Sequence, residues 1–308
     1  MLSILIPVYN FNIVPLVTEL HDQATKASIP FEIIVLDDCS SELLRHQNKD
    51  VVNLPGVRFH ELDKNIGRAR IRNRLAEMAV YSTLLFLDCD SEVPTKNYII
   101  NYLPFCDRLL VVCGGRLYRP DPPDEHEFLL RWLYGIRREQ LSDAVRSKNP
   151  YRSFMTNNFL IPRETILQIQ FDESIIHYGH EDTLFGLELK KRGVQVMHIQ
   201  NPLLHIGLEI SWEFIRKTSE GVENLFMLLQ NGKIDRNDIQ DIRVLKVYEI
   251  MRKLRLAGLY QTLYDFIASP VMRNLLGPNP SLFAFDLYKL SLFTNLVRKG
   301  KTADLSFD

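Results

Sequence analysis

The acids that could do chemistry in this 308-residue chain come in pairs. Asp37 and Asp38 end the apolar run Ile33 to Leu36. Asp88 and Asp90 flank Cys89 directly after the run Leu84 to Leu87. Glu181 and Asp182 follow Gly179-His180 and precede a leucine-rich segment. Two carboxylates one residue apart, where a buried strand ends and the backbone turns, can converge on a hard cation, and that cation can hold a diphosphate. His205, in AsnProLeuLeuHisIleGly at 201–207, could add an imidazole. Each signal has a plain reading beside it. An isolated Asp-x-Asp also fits a solvated turn, acids at a helix start also fit capping, and a histidine among leucines is more often a core residue.

The elements that must position these groups read as alternating strands and helices. Residues 2–8 form a first apolar strand that holds Pro7 and ends at Tyr9-Asn10. Leu16, Leu20 and Ala24 recur at helical spacing and predict a helix over 14–26. Residues 31–37 and 57–62 predict the second and third strands, 68–80 a helix after the turn Asn65-Ile66-Gly67, and 84–87 the fourth strand. Strands that are apolar throughout, alternating with helices, imply a mostly parallel sheet covered on both faces. Right-handed crossovers then bring every strand's C-terminal end to one edge, where Asn10, Asp37, Asp38, Asp88 and Asp90 would gather. No GxGxxG follows the first strand and no GxxxxGK[ST] occurs, which disfavours a dehydrogenase-type dinucleotide site and a P-loop.

Further along, 96–105 predicts a helix and 109–113 a strand that ends in Gly114-Gly115-Arg116. Two glycines there suit close backbone approach to a ligand, or a simple bulge. Residues 119–153 read as an irregular excursion with one helix, a mobile loop over the site. Thr156 to Ile161 returns to the sheet, and Pro162 suits the first position of a short helix. A helix from about 181 buries Leu184, Phe185, Leu187 and Leu189 and closes on Lys190, Lys191, Arg192 and Gly193. Residues 194–199 predict one more strand. From Ser211 the pattern is almost wholly helical, with a basic segment at Arg252, Lys253 and Arg255, a break at 277–280 and a last helix over 283–297. The expected division is an α/β domain over 1–210 and a helical extension over 211–308. The extension suits acceptor binding, packing against the main domain, homo-oligomerisation, or peripheral contact with a membrane surface.

With 46% hydrophobic and 24% charged residues and a net charge of −1, the composition is that of a globular protein and argues against a nucleic-acid partner. Cys39, Cys89, Cys106 and Cys113 form no CxxC pair, which suits a reduced, cytoplasmic chain. The first strand starts almost at Met1, leaving no room for a signal peptide, and no apolar run approaches the roughly 20 residues of a membrane span. The expected location is therefore the cytoplasm, with peripheral attachment at the inner face of the membrane as a further option.

Taken in order, SerIleLeuIleProValTyrAsn at 3–10, ValLeuAspAspCysSer at 35–40, AsnIleGlyArgAlaArgIleArgAsn at 65–73, LeuAspCysAspSerGlu at 87–92 and TyrGlyHisGluAsp at 178–182 resemble glycosyltransferase family 2 over roughly residues 2–206. The GlyHisGluAspThrLeuPheGly stretch is also similar to galactosyl- and N-acetylgalactosaminyltransferases, including bacterial chondroitin-type polymerases. The resemblance implies the GT-A nucleotide-diphospho-sugar transferase fold. It implies a UDP-sugar donor, held at its uridine end by Pro7, Tyr9, Asp38 and, less directly, Asp37, with Arg72 and Asp88 also on the nucleotide. It implies Mn2+, or Mg2+, on Asp90 and His205 with Asp88 nearby, and Asp182 as the general base of an inverting transfer with Glu181 beside it. The implied acceptor is a hydroxyl of a glycan or lipid-linked saccharide. Galactose, N-acetylgalactosamine, N-acetylglucosamine and glucose donors all remain open, with a tilt to galactose-type sugars; pocket shape around Gly114-Gly115 and Asn157-Asn158 would choose. A retaining transferase of the same fold, a nucleotidyltransferase and a non-catalytic nucleotide-sugar-binding module are the alternatives. The chain lacks the Gln-x-x-Arg-Trp signature and the spans of processive synthases.

Overall fold

The computed structural model describes residues 1–175 and 178–300. Their strands are β1 (Leu2–Val8), β2 (Phe31–Asp37), β3 (Val57–Glu61), β4 (Thr83–Leu87), β5 (Ser91–Glu92), β6 (Leu110–Cys113), β7 (Arg116–Leu117), β8 (Asn158–Pro162), β9 (Gln195–His198) and β10 (Leu203–His205). Seven of them form one sheet in the order β3-β2-β1-β4-β8-β6-β9. All its neighbours are parallel except β8, which runs against both β4 and β6. The other three form a small sheet, β5-β10-β7.

The continuous apolar runs exist because both faces of the large sheet are covered. Alternation assigns successive residues to opposite sides. Ile4, Ile6, Ile33, Val35, Leu85 and Leu87 join one core, where helix Val14–Lys26 contributes Leu16, Val17, Leu20 and Ala24. Leu5, Ile34, Leu36, Leu84 and Phe86 join the other, where helix Arg68–Met78 contributes Ala69, Ile71, Leu75 and Ala76. The expected α/β sandwich with a mostly parallel sheet is thus the fold observed.

Three local features depart from the sequence reading. A helix, Glu42–Asn48, stands between β2 and β3; it buries only Asn48, so it has no apolar period to betray it. The excursion after β7 holds two α-helical turns, Leu129–Tyr134 and Asp143–Arg146, rather than one. The almost wholly helical pattern after Ser211 is broken at the basic segment into helices Arg243–Lys253 and Ala257–Leu275, because Arg255 takes a left-handed conformation, φ 59°, at a corner with no glycine to mark it.

Two compact units emerge. One comprises Met1–Arg119, Arg138–Ile176 and Glu181–Gly207; the other comprises Pro120–Arg137, His177–His180 and Leu208–Asp308. In the second unit, Leu130, Phe214, Ile215, Tyr264, Val271, Leu275 and Phe285 form the core among its helices.

In the first unit the turn at Gly114-Gly115 is held by a buried polar network. Asn158 Oδ1 accepts from the hydroxyls of Tyr98 at 2.6 Å and Tyr102 at 2.7 Å. Its amide donates to the carbonyls of Gly115 and Asn201 at 3.0 and 2.9 Å. Arg146, 2% exposed, donates to the carbonyls of Leu141, Cys113, Gly114 and Ile199. Gly114 is required by space: a Cβ there would lie 2.3 Å from the Tyr102 hydroxyl and 2.4 Å from the Asn201 carbonyl. Gly114→Ala is therefore expected to lower stability by about 1–3 kcal/mol through overpacking, read as a fall in the denaturant midpoint at unchanged m-value.

Candidate active site

The edge where β1, β2 and β4 end is stitched by short polar contacts. Asn10, at φ 51°, accepts on its side-chain oxygen from the Ser41 N–H, and its own N–H donates to Ser40 Oγ, both at 2.8 Å. Asp37 is fully buried; its Oδ1 accepts from the Ser40 N–H at 2.7 Å, while Oδ2 has no hydrogen-bond partner among the described residues. Asp38 spends both oxygens on the loop that starts helix Arg68–Met78, accepting from Ile66 N–H at 2.7 Å and Gly67 N–H at 3.0 Å. Burial still pushes the Asp38 carboxyl up despite those two donors. Pro7 lies within β1 opposite Leu36, and Tyr9 projects, 54% exposed. The Tyr9 N–H faces the Cys89 thiol, whose burial pushes it up to about 12, so Cys89 stays a neutral spacer between its two acids.

Asp88 sits between guanidiniums. Arg72 donates to Oδ1 at 2.8 Å, Arg116 to Oδ2 at 3.2 Å, and Arg68 lies 3.8 Å from Oδ2. Arg72 is 2% exposed and comes from the buried side of its helix. Arg116 is bound in turn by Glu139, which also takes the Tyr118 hydroxyl. With both oxygens facing arginines, Asp88 orders cationic groups at this edge.

The small sheet brings the next pair together. β10 runs antiparallel to β5, placing His205 opposite Ser91, and the Ile206 N–H bonds the Asp90 carbonyl at 2.9 Å. β10 also runs parallel to β7, which carries Arg116. His205 Nδ1 thus lies 3.3 Å from Asp90 Oδ2. Both His205 Nδ1 and Asp90 Oδ1 are buried with no hydrogen-bond partner among the described residues. Burial alone would raise Asp90, but His205, Arg116 and Arg68 outweigh it and hold the carboxyl below the usual range. A carboxylate and an imidazole with orphaned atoms, spaced like neighbouring ligands of one ion, fit a small divalent cation such as Mn2+. Among the described residues no cluster of three or more His, Cys, Asp or Glu converges on such a site, so diphosphate oxygens and water would have to complete the shell. Tyr118 supports the ring of His205 edge-on at 5.2 Å. Gly207 backs Asp90: a Cβ there would meet the Asp90 Cβ at 2.7 Å.

Helix Glu181–Lys191 begins just after Gly179 and His180, both at positive φ. Its two leading acids meet opposite environments. Glu181, 6% exposed, accepts from Arg68 Nε at 2.6 Å and lies 3.9 Å from Arg72 Nη1. Burial would raise it, and the two arginines more than reverse that, so it stays ionised. Asp182 has the Thr183 N–H at 2.7 Å as its bonded partner and is pushed up to about 6 by burial and by the neighbouring Glu181 charge. Adjacent carboxylates driven apart in this way are what separate acid–base work from electrostatic support. Gly186 lets this helix lie against the Tyr151 carbonyl, 2.6 Å from where its Cβ would stand.

Asp88, Asp90, Glu181 and His205 therefore meet with Arg72 in one unit. Asp37 and Asp38 lie at the ends of the neighbouring strands. Asn158, considered for sugar choice, is instead consumed by the network under Gly114-Gly115. Sequence reasoning passed over Arg68, Arg116, Glu139 and Gly207 as site residues. Only the position of Arg116 directly after Gly114-Gly115 could have pointed to one of them.

The family model of Glycosyl transferase family 2 matches residues 3–166. A chondroitin synthase of Pasteurella multocida is 26% identical over 225 residues, covering 62% of this chain and 23% of that protein. The chain thus spans about a quarter of that relative's length. Among solved structures, the mannosyltransferase PcManGT from Pyrobaculum calidifontis in complex with GDP-Man and Mn2+ matches with a TM-score of 0.56 and 13% identity, over 98% of this chain and 88% of that one. S. aureus TarS 1-349 in complex with UDP-GlcNAc matches with a TM-score of 0.51 and 16% identity, over 98% and 93%. At such identities the likeness is one of fold.

Two substitutions test the cation pair. His205→Ala should raise the Mn2+ concentration needed for nucleotide binding by about tenfold or more. Gly207→Ala should do the same by displacing Asp90, with the circular dichroism of both variants unchanged. An unaltered metal titration in calorimetry would return His205 to the core.

Proposed function

The chain belongs to glycosyl transferase family 2 and is a glycosyltransferase, and on that premise we propose that it moves a hexosyl or N-acetylhexosaminyl group from a UDP-sugar to a hydroxyl of a glycan or lipid-linked saccharide, with inversion. The observation that carries the reading is the split between Glu181 and Asp182. Glu181 is fixed and ionised by Arg68 and Arg72, whereas Asp182 has a raised affinity for a proton. Asp182 accepts the proton of the acceptor hydroxyl as its oxygen bonds to the anomeric carbon. The bond from that carbon to the diphosphate oxygen breaks in the same displacement, and UDP leaves. Asp90 and His205 would hold a divalent cation, which neutralises charge on the leaving diphosphate. Arg68 and Arg116 add fixed positive charge at the same edge.

Nucleotide-sugar complexes among proteins of this fold, GDP-Man with Mn2+ in one and UDP-GlcNAc in another, support a nucleotide-sugar donor here. The uridine would lie against Pro7, Tyr9 and Asp38 at the ends of β1 and β2, with the buried Asp37 less directly engaged. The proposed setting is the cytoplasm or the inner face of its membrane.

Asp182→Asn should abolish transfer while UDP binding by calorimetry stays within about twofold; sustained turnover would remove Asp182 from the role of base. In the wild type, kcat/KM should fall as pH drops through about 6, because the base is then protonated. Stability supplies an independent check. A carboxyl raised above its unfolded value costs the fold stability as pH climbs from about 4 through 6. Asp182→Asn should accordingly melt above the wild type at pH 7 and lose that advantage below pH 4 or so. Proton NMR of the product's anomeric coupling reads inversion directly.

A further inference from the structure

Helix Ala257–Leu275 is apolar on two opposite faces. One face buries Tyr264, Val271 and Leu275 with Phe214 and Phe285. The other carries Leu259 and Leu263, each 57% exposed, and Phe266, 79% exposed, at spacings of four and three residues. At the preceding corner, where Arg255 at positive φ and the Leu256 N–H to Met251 carbonyl bond turn one helix directly into the next, Ile250, Leu254 and Leu256 are exposed as well. Single exposed apolar residues are ordinary, but a contiguous stripe marks a surface with a partner, and a helix apolar all round is normally a covered one.

The charge around the stripe selects the partner. Residues 243–275 hold six Lys or Arg against two acids in a chain whose total charge is −1, and of the six Arg243 is paired with Asp286 at 3.2 Å. Arg252, Lys253 and Arg255 stand at one end of the stripe and Arg273 at the other. The two acids are engaged, Glu249 with Lys253 at 2.9 Å and Asp265 with Gln261 at 2.9 Å. A two-fold contact between copies would set basic ends against basic ends, whether the helices paired parallel or antiparallel. Among the described residues no helix is long and apolar enough to cross a membrane, so contact with lipid would be in the plane of the surface. We propose that this face docks on an anionic bilayer, with Leu259, Leu263 and Phe266 entering the headgroup–acyl boundary and the basic ends meeting lipid phosphates. The proposal concerns the helical unit alone and does not depend on the transfer reading above.

Co-sedimentation of the full chain with vesicles tests it. The chain should pellet with phosphatidylcholine–phosphatidylglycerol vesicles, remain in solution with phosphatidylcholine alone, and be released by salt. Leu263→Glu/Phe266→Glu and, separately, Lys253→Glu/Arg255→Glu should each weaken binding by about tenfold or more, with circular dichroism and the thermal melt unchanged as the check on folding. No pelleting of the wild type with the anionic vesicles overturns the proposal, as does equal pelleting with both vesicle types. A wild-type dimer in sedimentation equilibrium that Leu263→Glu/Phe266→Glu makes monomeric would assign the face to a second copy instead.

Discussion

The site depends on a carboxylate held among guanidiniums. Asp88 has Arg72 on one oxygen and Arg116 on the other, and Arg72, almost wholly buried, could not remain there without Asp88 and Glu181. The result is an alternating chain of charge, Glu139, Arg116, Asp88, Arg72, Glu181, Arg68, that runs from the excursion after β7 to the helix bearing Asp182. Removing Asp88 or Glu181 would leave the buried Arg72 short of a partner, so the members of the chain are energetically coupled.

That unit gives neighbouring acids different work. Of the Asp-x-Asp pair, Asp88 is committed to arginines, while Asp90 keeps an orphaned oxygen beside an orphaned imidazole nitrogen. Of the Glu-Asp pair, Glu181 is committed to arginines, whereas Asp182 accepts only from the N–H and hydroxyl of Thr183 among the hydrogen bonds of the described residues. In both cases the residue nearer the guanidiniums is the anchor and its neighbour is left open to a ligand or a proton. The small sheet β5-β10-β7 makes this division workable. It carries His205 to Asp90 and Arg116 to Asp88 on strands two and three residues long, which fix side-chain direction where a free loop would not.

The helical unit follows other rules. Its core is built from aromatic contacts among Tyr134, Phe214, Phe285 and Tyr288. The apolar face of Ala257–Leu275 that this core leaves uncovered is the feature its amphipathic pattern does not explain from within.

The sequence by itself determined the sheet and the identity of the strand-end acids. Short apolar runs such as Leu84 to Leu87, alternating with helices, read as strands buried on both faces, and parallel crossovers oblige their ends to share an edge. It also determined the family, through motifs that are each short but stand in a fixed order. It did not determine helix Glu42–Asn48, which buries almost nothing, or the corner at Arg255, where a left-handed residue is not a glycine. Above all it did not reveal Arg68, Arg116, Glu139 and Gly207 as parts of the site. Those residues owe their place to pairings across long stretches of chain, Arg68 with Glu181 and Gly207 against Asp90, and periodicity describes only neighbours. The division of labour within each acid pair was likewise decided by tertiary structure. Adjacent carboxylates are chemically alike in sequence and differ only in which guanidiniums the fold brings to them.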